Sequence, residues 1–310
     1  MLYDLNIAWS PSTTEEQLLQ TLTLSSSLGY STVALNHTLT LPFPPNHTAP
    51  FPSIPSSPTS KLPNVLHRAT LPLSDPSANN YRIPFLTSTY DIVAARPLTD
   101  KAFQNACLTL DVPIISVDFS KYLEFHFKPK PCMAAVSRGI RFEVCYSQAL
   151  TADARGRANF ISNVTGLIRA TRGRGIMLSS EAKDALSLRA PADVVNLLSV
   201  WGLGNEKGMK GLGEIPRSVV VNEGIKRNGF RGVINIVEVA EQEKGPNDNV
   251  DGKNIGNNAG KKNKNKGQNQ NQNQNQNQKR KNGEEDTQQI SKRQAKKMKL
   301  AQRNATAEKK

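Results

Sequence analysis

The sequence predicts a β/α (TIM-like) barrel followed by a disordered tail, and three observations carry that expectation. Short β-rich runs alternate with helical patterns from Leu2 to Leu178, an order that pairs strands in parallel through right-handed crossovers. The alternation supplies roughly seven or eight strands in about 200 residues, which favours a closed barrel over an open doubly wound sheet. Beyond Glu241 large apolar residues become scarce, and Asn and Gln alternate from Gln268 to Gln278. Such a segment cannot offset the backbone entropy of ordering, about 1–2 kcal/mol per residue. The expected organisation is a barrel domain over 1–240, with a Pro-rich insertion at 40–64, and a basic, Asn/Gln-rich tail over 241–310.

Leu2–Ala8 reads as the first strand. Thr13 and Glu16 then form a capping box for a helix bearing Leu18, Leu19, Leu22 and Leu28. Thr32–Asn36 reads as the second strand, after which eight prolines between Pro42 and Pro63 mark an extended, mobile insertion. Val65–Leu71 and Asp91–Ala95 are further strands, and Thr99 caps a helix with Ala102, Phe103, Ala106, Cys107 and Leu110 on one face. Pro113–Val117 is near-continuously apolar, as expected of a strand covered on both faces. A short helical segment around Met133–Arg138 precedes the strand Ile140–Tyr146. A helix starting near Thr151 buries Phe160, Ile161, Val164, Leu167 and Ile168, and Ile176–Leu178 is another short strand. Pro191 and Asp193 open a helix that Gly202 and Gly204 end. A last helix runs from Pro216 to Asn228, with Gly229 as its stop.

The 310 residues carry a formal net charge of +14. From Glu241 onward there are 17 Lys and Arg against 8 Asp and Glu, leaving 23 against 18 in the body. That balance favours a polyanionic partner. No basic N-terminal segment is followed by an apolar run, so no signal peptide is expected, and no stretch approaches the length of a membrane span. Cys107, Cys132 and Cys145 lack metal-ligand spacing and read as buried, reduced thiols of an intracellular protein. The N-x-T matches at Asn36, Asn46, Asn163 and Asn304 are then chance.

A barrel invites an enzymatic reading, which needs ligands and bases gathered at the strand ends. The four histidines, His37, His47, His67 and His126, form no H-x-H or H-x-x-x-H pair. Asp4 and Asn6 occupy first-strand positions where a metal-binding pair could lie, but Asn is a poor ligand for a transition metal. His37 and His67 near strand ends read as hydrogen-bonded or surface histidines before they read as ligands. Gly202, Gly204, Gly208, Gly211 and Gly213 lack the G-K-[ST] ending of a phosphate loop and read as a helix-breaking connector. Asp91, Asp118 and Glu143 fall on or near strand ends without a legible pairing. No catalytic residue, metal or cofactor is expected. The competing reading is an autonomous metal-dependent phosphoesterase on the same barrel.

Basic residues point elsewhere. Arg155, Arg157, Arg169, Arg172 and Arg174 lie in a stretch without a single acidic residue. At 100° per residue Arg155 and Arg169 fall opposite the stripe of Phe160, Val164 and Leu167, about 21 Å apart along a helix. Arginine suits phosphate because its planar fork bonds bidentately. Lys128, Lys130, Arg138, Arg141 and Arg189 extend the set. No surface aromatic is evident for base stacking, so backbone and shape recognition of RNA is the expected mode. In the tail, Lys279-Arg280-Lys281 and then Lys292-Arg293 with Lys296-Lys297 have the spacing of a bipartite nuclear import signal.

Seven strings now matter more than composition. In order they are Y-D-L-N-I-A at Tyr3–Ala8, L-H-R-A-T-L at Leu66–Leu71, Y-D-I-V-A-A-R-P at Tyr90–Pro97 and L-D-V-P-I-I-S-V-D at Leu110–Asp118. R-G-I-R-F-E-V-C-Y-S at Arg138–Ser147, I-M-L-S-S-E-A from Ile176 and L-R-A-P-A-D-V-V-N-L ending at Leu197 follow. The chain resembles a fungal member of the thirty-kilodalton subunit family of eukaryotic ribonuclease P and ribonuclease MRP, from Leu2 to about Gly229 and outside the insertion. The resemblance implies a barrel akin to the polymerase and histidinol phosphatase superfamily, stripped of its metal site. It also implies a non-catalytic subunit of a nuclear and nucleolar ribonucleoprotein. There the RNA component matures the 5′ end of precursor tRNA, and in MRP the same subunit serves pre-rRNA cleavage. Implied partners are the catalytic RNA of ribonuclease P, the MRP RNA, a small ferredoxin-like protein subunit and, indirectly, precursor tRNA. The RNA-facing candidates are Arg138, Arg141, Arg155, Arg169, Arg172, Arg174 and Arg189.

Overall fold

β-Branched and other apolar runs form seven parallel strands hydrogen-bonded in sequence order. They are β1 (Leu2–Ala8), β2 (Tyr30–Thr38), β3 (Asn64–Leu73), β4 (Ile92–Pro97), β5 (Ile114–Ser116), β6 (Arg141–Cys145) and β7 (Ile176–Ser179). The ring closes through the residues after β7. Glu181 N donates to Asn6 O at 2.7 Å and Ala8 N to Ala182 O at 2.9 Å, and Ile7 and Ala182 form a parallel bridge. This computed structural model describes residues 1–40, 48–52, 62–74, 82–230 and 234–235, all within one compact unit, Met1–Glu241. The tail over 241–310, with Lys279, Arg280, Lys281, Lys292, Arg293, Lys296 and Lys297, lies outside the described residues, as does most of the Pro-rich insertion.

Helices α1 (Glu15–Ser27), α2 (Ile83–Thr89), α3 (Asp100–Leu108), α4 (Pro129–Ser137), α5 (Ser147–Thr151), α6 (Ala154–Thr171) and α7 (Pro191–Val200) follow the strands. Helices α8 (Asn205–Leu212) and α9 (Glu214–Asn228) come last. Two cores result. The larger lies between sheet and helices, where Leu22, Phe103, Phe142, Phe160 and Leu198 are buried. The smaller fills the barrel at its N-terminal end with Tyr3, Leu5, Ala34, Ile92, Ala94, Ile114 and Met177, joined by Val219 of α9. Three free cysteines, Cys107, Cys132 and Cys145, are buried in the body. No helix among the described residues is long and apolar enough to cross a membrane.

Five local expectations change, the first being that Ile161 of α6 is exposed rather than buried. The capping box of α1 is Thr14 with Gln17, one residue on from the pair expected, and both reciprocal bonds are present. Helix α2 was not foreseen, because its short run I-P-F-L-T-S-T has proline at its start and no periodic stripe. The glycine-rich stretch expected as a connector forms α8. A Cβ on Gly208 would stand 3.1 Å from Val195, and one on Gly211 would stand 3.1 Å from the Ile176 carbonyl. These glycines admit a close neighbour rather than break the chain. Finally, the described part of the β2–β3 connection packs onto the sheet. Phe51 stacks on His67 with ring centroids 4.6 Å apart and meets Trp9 and Tyr90 at 5.1 and 6.1 Å.

Candidate nucleic-acid interface and the barrel mouth

The mouth is the end of the barrel at which the strands finish. Strand alternation sends Asn36, Arg68, Thr70, Arg96, Ser116, Glu143, Cys145 and Ser179 inward there, above the apolar inner core. A register irregularity between Asp4 and Ile7 lets Leu5 and Asn6, neighbours in sequence, both reach the interior. Arg68 and Glu143 are 0 % exposed and form a two-pronged ion pair, with Nη1 2.5 Å from Oε1 and Nη2 2.6 Å from Oε2. Arg68 Nη1 also donates to Leu5 O at 2.6 Å. Asn6 Nδ2 donates to Glu143 Oε2 at 3.1 Å, Asn36 Nδ2 to Asn6 Oδ1 at 2.9 Å and the Thr70 hydroxyl to Asn36 Oδ1 at 2.7 Å. Nearer the rim, Arg96 bonds Glu181 at 2.6 Å, and Gln148 Nε2 bonds its other oxygen at 2.6 Å.

These bonds set the local protonation. Burial alone would raise Glu143, but the Arg68 guanidinium outweighs it and holds the carboxyl down at about 2. Burial raises the Cys145 thiol well above its ordinary value, and the Glu143 charge adds to the effect. Cys145 is therefore a neutral thiol accepting from Asn6 Nδ2 at 3.3 Å.

The donor set does not fit the metal site of a phosphoesterase. Among the described residues no three His, Cys, Asp or Glu side chains converge as a cation would need. The carboxylate deepest in the mouth is already matched by a guanidinium, and a second cation there would meet that fixed positive charge. His37 and His67 are aromatic neighbours of Trp9 and Phe51. Asp91 accepts from His67 N at 2.8 Å and pairs with Arg227. Asp118 caps its own loop by accepting from Ser120 N and Oγ.

Because strands ascend and helices descend, the arginine candidates divide between the two ends of the barrel. Arg155, early in α6, and Arg189, after β7, belong to the mouth end. Arg169, Arg172 and Arg174 belong to the opposite end with Arg138 and Arg141. Arg155, Arg169, Arg172 and Arg174 are exposed. Arg172 caps α6 at φ 55°, and its carbonyl accepts from Lys207 Nζ at 2.8 Å, which brings a further cation to that end. Arg138 is exposed at its surface, but its guanidinium donates to the carbonyls of Cys107, Thr109 and Leu110 at and just beyond the end of α3. Arg189 donates to Leu186 O and Leu188 O, both at 2.7 Å. Arg141 is half-buried on the interior face of β6, and burial lowers its pKa.

Reasoning from sequence overlooked the Arg68–Glu143 pair, whose partners lie 75 residues apart, and it overlooked Tyr122. This tyrosine is 76 % exposed on the loop between β5 and α4, so a surface aromatic is present after all. Its loop carries two buried phenylalanines, Phe119 and Phe125, which disguise the exposed ring in the sequence.

A family model described as RNase P subunit p30 matches residues 1–228, most of the chain. The chain belongs to this family. The "Probable ribonuclease P protein subunit 3" of Schizosaccharomyces pombe is 34% identical over 242 residues, covering 76% of this chain and 99% of the relative. The mouse "Ribonuclease P protein subunit p30" is 33% identical over 226 residues, covering 69% and 83%. The "Ribonuclease P/MRP protein subunit RPP1" of Saccharomyces cerevisiae is 28% identical over 260 residues, covering 76% and 84%. A chain in a cryo-EM structure of archaeal ribonuclease P with mature tRNA superposes with a TM-score of 0.57 at 13% identity. It spans 78% of this p30-family chain and 99% of the archaeal one, a likeness of fold.

Proposed function

We propose that this chain is a non-catalytic protein subunit of a ribonuclease P ribonucleoprotein, in which the RNA component cleaves the 5′ leader of precursor tRNA. The family match over residues 1–228 carries the reading. The ion-paired guanidinium in the barrel mouth supports it against a phosphoesterase, since the residues there serve the fold. A relative named for both ribonuclease P and MRP supports membership of the MRP particle and a part in pre-rRNA cleavage. Partners would be the catalytic RNA, the MRP RNA, a small ferredoxin-like protein subunit and, indirectly, precursor tRNA. The basic clusters at Lys279, Arg280 and Lys281 and at Lys292, Arg293, Lys296 and Lys297 would carry the chain to the nucleus and nucleolus.

The arginines of α6 and its C-terminal turn are the RNA-facing set in this reading. Arg155, Arg169, Arg172 and Arg174 are exposed, whereas the guanidinium groups of Arg138 and Arg189 are bonded to carbonyls. Cleavage of precursor tRNA by the purified chain with and without its co-purifying RNA tests the whole proposal. Activity should require that RNA, and cleavage by protein alone, lost in His67→Ala, would sink the reading. Replacing the four exposed arginines by Gln should lower the slope of log affinity against log salt by about one for each phosphate no longer neutralised, with the thermal unfolding midpoint retained. An unchanged slope would return these arginines to an ordinary solvated face.

A further inference from the structure

We infer that Tyr122 is a stacking platform for an unpaired RNA base, held in place by two asparagines of α6. The inference rests on the proposed RNA-binding function and adds a residue and a mode of contact to it. Tyr122 is 76 % exposed although neighbouring Phe119 and Phe125 are buried at 1 % and 7 %. The loop is therefore anchored on both sides of a ring that it presents to solvent.

The anchoring is specific. Asn163 Nδ2 donates to Phe119 O at 2.9 Å and to Lys121 O at 3.1 Å, and Asn159 Nδ2 donates to Ser120 O at 3.3 Å. Phe119 N in turn donates to Gln148 Oε1 at 3.0 Å. Three consecutive carbonyls before Tyr122 are thus tied to one face of α6. A ring ordered in advance loses little entropy when a base stacks on it, and stacking is tolerant of sequence because every base has a π-face.

The surroundings favour nucleic acid over a protein partner. Arg155 stands one turn before Asn159 in the same i, i+4 row, at the mouth end of α6. It is exposed, as are Lys121, His126, Lys128 and Lys130 on the loop and the start of α4. The acidic neighbours are largely engaged: Asp118 pairs with Lys121 at 3.1 Å, Asp100 lies 4.0 Å from Lys128 and Asp153 accepts from Gly156 N at 2.7 Å, while Glu124 is exposed. A π-face flanked by cations matches a base flanked by its phosphates.

The test uses the full chain and an oligouridylate carrying one 2-aminopurine, whose fluorescence falls when the base stacks. Tyr122→Ala and Tyr122→Leu should each weaken binding about 5- to 100-fold and abolish the quenching, while Tyr122→Phe retains both. The salt slope should stay unchanged in all three, because no charge is removed. An unaltered affinity in Tyr122→Ala overturns the inference and leaves the RNA-binding function standing. Retention by Tyr122→Leu equal to Tyr122→Phe also overturns it, since an apolar protein contact accepts leucine. If the unaltered chain shows no salt-dependent binding to oligouridylate, the RNA-facing role of this surface fails and this inference with it, whereas the proposed function stands or falls separately on the cleavage assay.

Discussion

Asp4 is 1 % exposed, and burial lifts its carboxyl from the ordinary 3.8 to about 6, against hydrogen bonds from Ser180 and the Asn6 backbone. Its folded form holds a proton more tightly than the unfolded chain does. Stability should therefore fall as pH rises from about 4 to about 6, by about 3 kcal/mol in all. Asp4→Asn keeps the Oδ1 acceptor and removes that loss, so denaturant unfolding should show the variant more stable at pH 7.5 and nearly equal at pH 4. Equal differences at both pH values would place the effect elsewhere. Glu143 works in the opposite direction: its depressed carboxyl contributes stability that disappears as pH falls from 4.5 towards about 2. Removing one member of its pair leaves a buried charge alone, so Glu143→Ala should cost about 3–5 kcal/mol. The double variant Arg68→Leu, Glu143→Leu should recover much of that, and a double variant as unstable as the single would disprove the account. None of this was readable in the sequence, because Glu143 in R-G-I-R-F-E-V-C-Y-S says nothing of a partner on β3, across the barrel.

At the scale of elements, periodicity revealed every strand of the barrel and most helices, because both depend on apolar spacing within a few residues. What it missed depends on neighbours distant in sequence. Glycine in α8 looked like a breaker until β7 was seen against it. Gly211→Ala should destabilise by about 1–3 kcal/mol despite alanine's better helix propensity, since the new methyl meets a strand carbonyl at 3.1 Å. Gly224 in α9 is the control: a Cβ there meets nothing within 4 Å, and Gly224→Ala should gain about 0.5–1 kcal/mol. Thermal melts of both check the pair, and a stabilising Gly211→Ala would return the glycines to a connector's role. The site was legible to a similar degree. Arginine spacing on α6 was visible, whereas the carbonyls that occupy Arg138 and Arg189 come from Cys107, Thr109, Leu110, Leu186 and Leu188.

Over the whole molecule, charge is sorted by position. The barrel closes its N-terminal end with α9 and its apolar inner core, and fills its mouth with paired polar groups. Surface arginines are left for contact outside. A chain ending near Val239 should keep the barrel's unfolding midpoint and accumulate less in the nucleus, as fluorescence microscopy of the tagged chains would show. Normal nuclear accumulation would mean that assembled partners carry it in. The Arg68–Glu143 pair also sets the order of events during synthesis. The guanidinium leaves the ribosome 75 residues before the carboxylate that neutralises it. A nascent chain that has made β1 to β5 would have to seal a lone cation inside or remain open. The Arg68 charge therefore waits unpaired until β6 has been made, and the ring closes only when Glu181 and Ala182 follow β7.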